Sequence, residues 1–123
     1  MNMIISNASQ EPIYQQIINQ LKNAMVRGEL AAGDALPSIR TLAKDLQISV
    51  ITTKRAYEEL ERDGYIHTVP GKGSFVAAQN QELLRETRLR LVKEKLAEAV
   101  EAARRIGLSP HELRHMLDLM YEE

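Results

Sequence analysis

The fold is decided between residues 38 and 64, which read SIRTLAKDLQISVITTKRAYEELERDG. Ser38 and Ser49 stand where helix N-caps are expected, because a serine side chain can accept a hydrogen bond from a free amide of the first turn. The first serine predicts a helix through about residue 46, and the second predicts a helix over residues 50–63 that ends before Gly64. Two short helices separated by a tight break at residues 47–49 are typical of a helix-turn-helix.

Apolar side chains recur at helical spacing within and before this stretch. A first helix is predicted over residues 12–27, with Pro12 at its first position and Gly28 as its C-cap. Residues 30–37 contain Gly33 and Pro37 and are predicted to be a loop. The inward faces of the three helices are expected to form the core, and they comprise Ile13, Ile17, Leu21, Ala24 and Met25, then Ile39, Leu42, Ala43 and Leu46, then Thr53, Ala56, Tyr57 and Leu60.

A β-hairpin is predicted directly after the third helix. Residues 65–69 have high strand propensity, Pro70–Gly73 forms a turn, and residues 74–77 form a second short strand. A hairpin in this place is the wing of a winged helix-turn-helix.

The remaining residues predict a helical tail. After a polar joint at residues 79–81, a long helix is expected over residues 82–106, because Leu, Glu, Arg, Lys and Ala dominate there. Gly107 ends it, and Ser109 with Glu112 forms a capping box that begins a last helix, with Pro110 at its first position. The predicted fold class is thus mainly α with a small β-hairpin, in which a winged helix-turn-helix (residues 1–78) precedes a two-helix dimerisation tail (residues 79–123).

The tail carries an apolar stripe with spacings of three and four residues, similar to that of a coiled coil. Two helices with no third layer leave such a stripe exposed, so a symmetric partner is expected to cover it. The alternative is a monomer in which both helices fold back on the N-terminal domain. The residues expected at the homodimer interface are Leu89, Val92, Leu96, Ala99, Ala103, Leu113, Met116, Leu117 and Met120.

Composition excludes several classes of protein. The chain has 123 residues, of which 44 % are hydrophobic, so it can bury a core. It has no cysteine, which excludes disulfides and thiolate metal sites. The first residues lack the basic region of a signal peptide, and no apolar run approaches the length of a membrane span. We therefore expect a soluble, cytoplasmic protein without a membrane association.

The charge distribution favours a nucleic-acid partner although the net charge is −1. Residues 38–57 contain four cationic side chains and one acidic side chain, a sum of +3. Residues 58–63 contain four acidic side chains and one arginine, a sum of −3. A basic surface backed by an acidic one suits a protein that binds DNA on one face.

Several segments, in order and spacing, resemble the DNA-binding domain of the GntR family. They are Ala35-Leu-Pro-Ser-Ile-Arg-Thr-Leu-Ala43, Ile48-Ser-Val-Ile-Thr-Thr-Lys-Arg-Ala-Tyr-Glu-Glu-Leu-Glu61, Asp63-Gly-Tyr-Ile66 and Gly71-Lys-Gly-Ser-Phe-Val76. The short tail resembles the YtrA subfamily. This resemblance implies a homodimeric repressor, often of a transporter operon, that binds double-stranded operator DNA. It implies no enzymatic activity and no cofactor, and it leaves open whether an unknown small-molecule effector exists.

The candidate DNA-binding residues lie in three places. If the third helix enters the major groove, Val50, Thr52 and Lys54 face the DNA. Many GntR members carry arginine or asparagine where this chain has Val50, so readout there is expected to be apolar, as of a thymine methyl group. Ser38 and Ser49 begin helices whose free amides attract phosphate, and the resemblance implies that Arg40 reads a guanine. On the wing, Gly71, Lys72 and Gly73 allow a close approach to the minor groove.

Each of these residues also has a purely structural interpretation. Ser38 and Ser49 could serve only as caps, Lys72 could be an ordinary lysine of a hairpin tip, and Lys54 could belong to a solvated face. Arg55 is expected beside the face of the third helix that contacts DNA. Tyr57 is expected in the core and not in contact with DNA.

A competing motif lies in the last helix, where residues 111–115 read HELRH and match the H-E-x-x-H pattern of zinc metalloproteases. No histidine follows His115, and Glu112 already belongs to the capping box, so a protease is rejected. Two alternatives from other classes remain open: a metal-responsive regulator that binds metal through His111 and His115, and a helical protein-interaction module.

Overall fold

A computed structural model describes residues 3–78 and 81–123. Within these ranges the elements are α1 (Ile13–Val26), α2 (Ile39–Leu46), α3 (Val50–Arg62), β1 (Ile66–Val69), β2 (Gly73–Val76), α4 (Gln81–Arg105) and α5 (Pro110–Tyr121). The fold is mainly helical with one small hairpin, which confirms the predicted class. Of the polar joint predicted at residues 79–81, Gln79 and Asn80 lie outside the described residues, and Gln81 begins α4.

The helices end within about one residue of their predicted limits, and the start of α1 needs a correction. Pro12 is its N-cap, with an extended ψ of 149°, and does not occupy the first helical position. The Pro12 carbonyl accepts hydrogen bonds from the amides of Gln15 and Gln16 at 3.0 and 3.1 Å. An N-cap residue accepts the first bonds of a helix while its own ψ remains non-helical, and this is the geometry observed.

The core of the N-terminal unit is built around α3, which packs against α1, α2 and β1. The inward face predicted for α3 is confirmed, since Thr53, Ala56, Tyr57 and Leu60 are all buried. The hydroxyl of Thr53 donates to the carbonyl oxygen of Ser49 at 3.1 Å, so burial leaves this polar group satisfied. The largest fully buried side chains from other elements are Ile17, Leu21, Val76 and Leu84.

The break between α2 and α3 depends on Gln47, which has a φ of 56° in the left-handed region. Gln47 is the C-cap that ends α2, and the amide of Ile48 donates to the carbonyl of Ala43 at 3.0 Å. Residues other than glycine rarely adopt this backbone conformation. The sequence therefore predicts the position of the break but not which residue makes it.

The wing is part of a small sheet that extends beyond the hairpin. β1 and β2 pair antiparallel, with Ile66 opposite Val76 and Val69 opposite Gly73. Ala35 forms a β-bridge with Phe75 on the other edge of β2, and the amide of Leu36 donates to the carbonyl of Ser74 at 2.9 Å. The expectation that residues 30–37 form only a loop is therefore corrected. The free edge of β2 needs main-chain partners, and this segment supplies them.

The first turns of α4 belong to the N-terminal unit. Leu84 and Thr87 are buried, and the Tyr65 hydroxyl donates to the carbonyl of Leu83 at 2.9 Å. By its internal contacts the chain divides into Met1–Arg88 and Leu89–Glu123. The proposed boundary after Ala78, as the limit of the segment that binds DNA, stays a prediction.

The second unit comprises the rest of α4, a turn and α5. Gly107 has a φ of +74°, a conformation that favours glycine, and it ends α4 as predicted. The Ser109 hydroxyl accepts a hydrogen bond from the amide of Glu112 at 3.1 Å, and Pro110 is the first residue of α5. α5 buries none of its residues within the single chain.

The 25 residues of α4 carry charges along most of their length. They include ion pairs of Arg90 with Glu94 at 3.8 Å and of Arg105 with Glu101 at 2.9 Å. Within residues 3–78 and 81–123, no helix combines the length and the apolar character that crossing a bilayer requires.

Candidate nucleic-acid interface

The first turn of α2 presents Ser38 and Arg40. The Ser38 hydroxyl accepts from the amide of Thr41 at 3.1 Å and lies 2.8 Å from the Thr41 hydroxyl, to which it donates. The predicted capping role of Ser38 is therefore present. Arg40 is exposed, and none of the described residues forms an ion pair with it. A guanidinium in this state retains all its donors for a phosphate or for the O6 and N7 atoms of guanine.

The first turn of α3 repeats this arrangement. The Ser49 hydroxyl accepts from the amide of Thr52 at 3.0 Å and donates to the Thr52 hydroxyl at 2.7 Å. Both bonding roles of Ser49 are used within the turn, whereas Thr52 accepts and retains its own hydroxyl proton. The Thr52 hydroxyl can donate this proton to a phosphate oxygen. The hydrogen bond that Thr52 accepts from Ser49 polarises its hydroxyl and makes it a stronger donor.

Two neighbouring apolar side chains of α3 are open to solvent. Val50 is 47 % exposed and Ile51 is 81 % exposed, although both are β-branched residues that are usually found inside proteins. Val50 is a predicted DNA contact, whereas the sequence pattern did not single out Ile51. The signal that could have identified Ile51 is its position outside the buried stripe that begins at Thr53.

The two cations of α3 have different surroundings. Lys54 lies 3.8 Å from Glu58 in an ion pair whose side chains are both mainly exposed. Such a pair contributes little to stability, so a phosphate can replace the carboxylate. Arg55 lies 3.4 Å from Glu59, and its guanidinium lies 3.7 Å from the ring centroid of Tyr14. Arg55 is thus engaged by Glu59 and by Tyr14 of α1. This agrees with the interpretation that Arg55 lies beside the face of α3 that is expected to contact DNA.

The tip of the wing is a tight turn. The amide of Lys72 donates to the carbonyl of Val69 at 2.9 Å, and Gly71 has a φ of +77°. Pro70 at the second position and glycine with positive φ at the third are typical of a type II turn. Gly73 has a φ of +115°, and Lys72 between the two glycines is exposed. The lysine therefore lies at the outer end of the hairpin, with little side-chain bulk around it.

Three contacts connect these surfaces. The Tyr57 hydroxyl of α3 donates to the carbonyl oxygen of Pro37, immediately before α2, at 2.7 Å. Glu61 of α3 accepts from the amide and the hydroxyl of Thr68 in β1, both at 3.2 Å. On the other side of the wing, β2 is bonded to the segment that enters α2. Both strands of the hairpin are thus tied to the helix-turn-helix: β1 to α3, and β2 to the segment that leads into α2.

The tail residues expected at a dimer interface differ in how far they are exposed within the single chain. Leu89, Val92 and Leu96 are about half exposed, whereas Ala103 is only 8 % exposed within the single chain and is not available to a partner as predicted. Of the remainder, Leu113 is half-buried, and Ala99, Met116, Leu117 and Met120 are exposed. Val100 and Leu119, which were not among the predicted interface residues, are also open to solvent.

His111 and His115 are both exposed on α5. Within the part of the chain that the structure describes, no group of three or more histidine, cysteine, aspartate or glutamate side chains is arranged to hold a metal ion.

Comparison with known proteins places this geometry in a family. The profile described as bacterial regulatory proteins, gntR family, matches residues 13–76, which is α1 through β2. The HTH-type transcriptional repressor YtrA of Bacillus subtilis (strain 168) is 34 % identical over 113 residues, which are 92 % of this chain and 87 % of that protein.

Two solved structures extend the similarity into the tail. A protein described as a transcriptional antiterminator from Listeria monocytogenes EGD-e is 35 % identical, with a TM-score of 0.64 over 100 % of this chain and 91 % of that one. YtrA from Sulfolobus acidocaldarius, a GntR-family transcription factor, is 34 % identical, with a TM-score of 0.60 over 77 % of this chain and 97 % of that one.

Proposed function

Because the chain belongs to the gntR family and is therefore a DNA-binding transcriptional regulator rather than an enzyme, we propose that it is a repressor that binds an inverted-repeat operator as a homodimer. Similarity to the YtrA repressor over nearly the whole chain supports repression. The resemblance to the YtrA subfamily implies an operon of the transporter type.

The observation that carries the proposal is the state of the polar groups at the two helix starts and the wing. Arg40 and Lys72 are exposed without an ion-pair partner among the described residues, and Lys54 has only an exposed one. α3 enters the major groove with its first turn, α2 lies against the backbone, and the wing reaches the adjacent minor groove. Arg40 reaches into the groove and reads a guanine, and Lys54 contacts a phosphate or a guanine. The hydroxyl of Thr52 donates to a phosphate, and Ser38 and Ser49 orient the helix amides toward phosphates.

The homodimer follows from the tail. An unpartnered helix pair with Leu89, Val92 and Leu96 about half exposed leaves an apolar surface that water disfavours. A second copy related by a twofold axis covers it with the same side chains. The α3 helices of the two copies then read two half-sites, and binding of the second half-site becomes intramolecular.

The proposal is tested with the full chain and a duplex that spans the region upstream of its own operon. At one fixed salt concentration, the protein should bind this duplex at least tenfold more tightly than a scrambled duplex of equal length and composition, as measured by mobility shift. Equal affinity for the two duplexes would refute sequence-specific regulation. A reporter fused to the same region should be expressed more strongly when the protein is removed, and lower expression would refute repression.

A further inference from the structure

The first turn of α3 contains an apolar side chain that the fold does not use. Ile51 is 81 % exposed, whereas Thr53 and Ala56 of the same helix are completely buried. Isoleucine stiffens the first turn of a helix without capping it, so neither packing nor capping accounts for its presence here. Because Ile51 directly follows Val50, two β-branched apolar side chains stand in succession at the start of α3.

The surroundings of Ile51 are polar and cationic. Ser49 and Thr52 lie within two residues of it in the chain, and Lys54, whose ion pair with Glu58 is exposed, follows at the helical spacing of three residues. A protein partner that buried Ile51 would also have to desolvate Lys54. Duplex DNA instead offers a phosphate for Lys54 and, within the major groove, an apolar group of matching size.

That apolar group is the C5-methyl of thymine, which is the apolar feature that a base pair presents in the major groove. We propose that Ile51 is a specificity-determining residue that contacts one thymine methyl group in each half-site. The inference rests on the proposed function, because it requires that α3 enter the major groove. It goes beyond it by naming the base and the atom that are recognised.

The test replaces single methyl groups in the DNA. A duplex is first selected from a random pool by the full-length wild-type protein. Each of its thymines is then replaced, one at a time, by deoxyuridine, which lacks only the C5-methyl. Burial of one methyl group corresponds to about a fourfold change in affinity. In each half-site, one of these single replacements should therefore weaken wild-type binding by about that factor.

The matched variants are Ile51→Ser and Val50→Ser, both at exposed positions where the fold should tolerate serine; their thermal unfolding is compared with that of the wild type. Ile51→Ser should bind the thymine and deoxyuridine duplexes equally at the position concerned, whereas Val50→Ser should retain the difference there. Three outcomes would overturn the inference: no sensitive thymine, a sensitivity that persists in Ile51→Ser, or one that only Val50→Ser removes. If no duplex is enriched by selection, it is the proposed function that fails.

Discussion

The hydroxyl of Tyr57 donates a 2.7 Å hydrogen bond to the carbonyl oxygen of Pro37, and this bond connects the middle of α3 to the residue before the N-cap of α2. Tyr57 is 3 % exposed, and its burial raises the pKa of the phenol to about 12. The bond helps to hold the start of α2, where Arg40 projects, against the helix that carries Val50 and Ile51.

Replacing Tyr57 by phenylalanine removes this bond with little change in shape. At neutral pH, Tyr57→Phe should lower the free energy of unfolding by about 1 kcal/mol, because the carbonyl of Pro37 loses its partner. The control Tyr121→Phe, at a position 85 % exposed, should leave it nearly unchanged. Urea unfolding monitored by circular dichroism measures both variants.

The same comparison has a defined pH dependence. The pKa of Tyr57 in the folded protein, about 12, lies above the ordinary 10.0, so its contribution is complete below pH 10 and is lost as the pH rises toward 12. The stability difference between wild type and Tyr57→Phe should therefore narrow between pH 10 and 12. A difference that stays constant over this interval would show that the Tyr57 phenol is not held in its neutral form by the fold.

Arg40 and Lys72 should differ in the kind of binding energy that they supply. Arg40→Ala should weaken specific binding by about 1–3 kcal/mol and relax the preference at one base pair per half-site, since a base contact carries sequence information. Lys72→Ala should weaken binding to all sequences similarly and reduce the slope of log K against log salt by about one, as expected for a phosphate contact.

Fluorescence anisotropy with duplexes that vary at single positions, measured at several salt concentrations, distinguishes these effects. Arg55→Ala is the matched control, because this arginine stacks on Tyr14 and should change neither the base preference nor the salt slope strongly. Operator binding of Arg40→Ala that equals the wild type would show that α2 does not dock as proposed.

The histidines of α5 should have no part in regulation. The double variant His111→Ala/His115→Ala should bind the operator as the wild type does, with and without added zinc, because two exposed histidines lack the further ligands of a stable zinc site. Equilibrium dialysis gives an independent measurement. One tightly bound zinc per chain that disappears in the double variant would support the metal-responsive regulator instead.

The tail should hold two chains together through α4. In the full chain, Val92→Asn/Leu96→Asn changes two side chains that are about half exposed in the single chain, so the fold should persist while the dimer weakens. The variant should sediment as a monomer at micromolar concentration and lose specific binding by orders of magnitude. The charge-reducing control Glu94→Gln/Glu98→Gln, on the opposite side of α4, should remain a dimer. A double asparagine variant that remains dimeric would exclude this face as the interface.

Features encoded by neighbouring residues could be predicted from the sequence. The caps at Ser38, Ser49 and Ser109 depend on an amide three residues away, and the inward stripe that begins at Thr53 depends on helical periodicity alone. The same local logic identified α1 and the hairpin. It also placed Arg55 beside the face of α3 that is expected to contact DNA, where the structure shows it against Tyr14.

Features that depend on residues distant in sequence could not be predicted. The bridge between Ala35 and Phe75 joins segments 40 residues apart, and no periodicity in a short loop indicates that it will complete a sheet. The helical pattern of α4 continues without interruption across Leu84 and Thr87, so it does not reveal that these two side chains are buried in the N-terminal unit. In the candidate site, the Tyr57–Pro37 bond likewise depends on how the helices pack.

The proposal that one homodimer reads an inverted repeat is tested most directly by the stoichiometry of the complex. Sedimentation velocity of the full-length protein with a fluorescently labelled duplex carrying one copy of the selected site gives the mass of the bound species. We predict two chains per duplex at every degree of saturation, and a free protein that sediments as a dimer at micromolar concentration. A complex with a single chain that binds at full affinity, or a monomeric free protein with undiminished operator binding, would contradict the proposal.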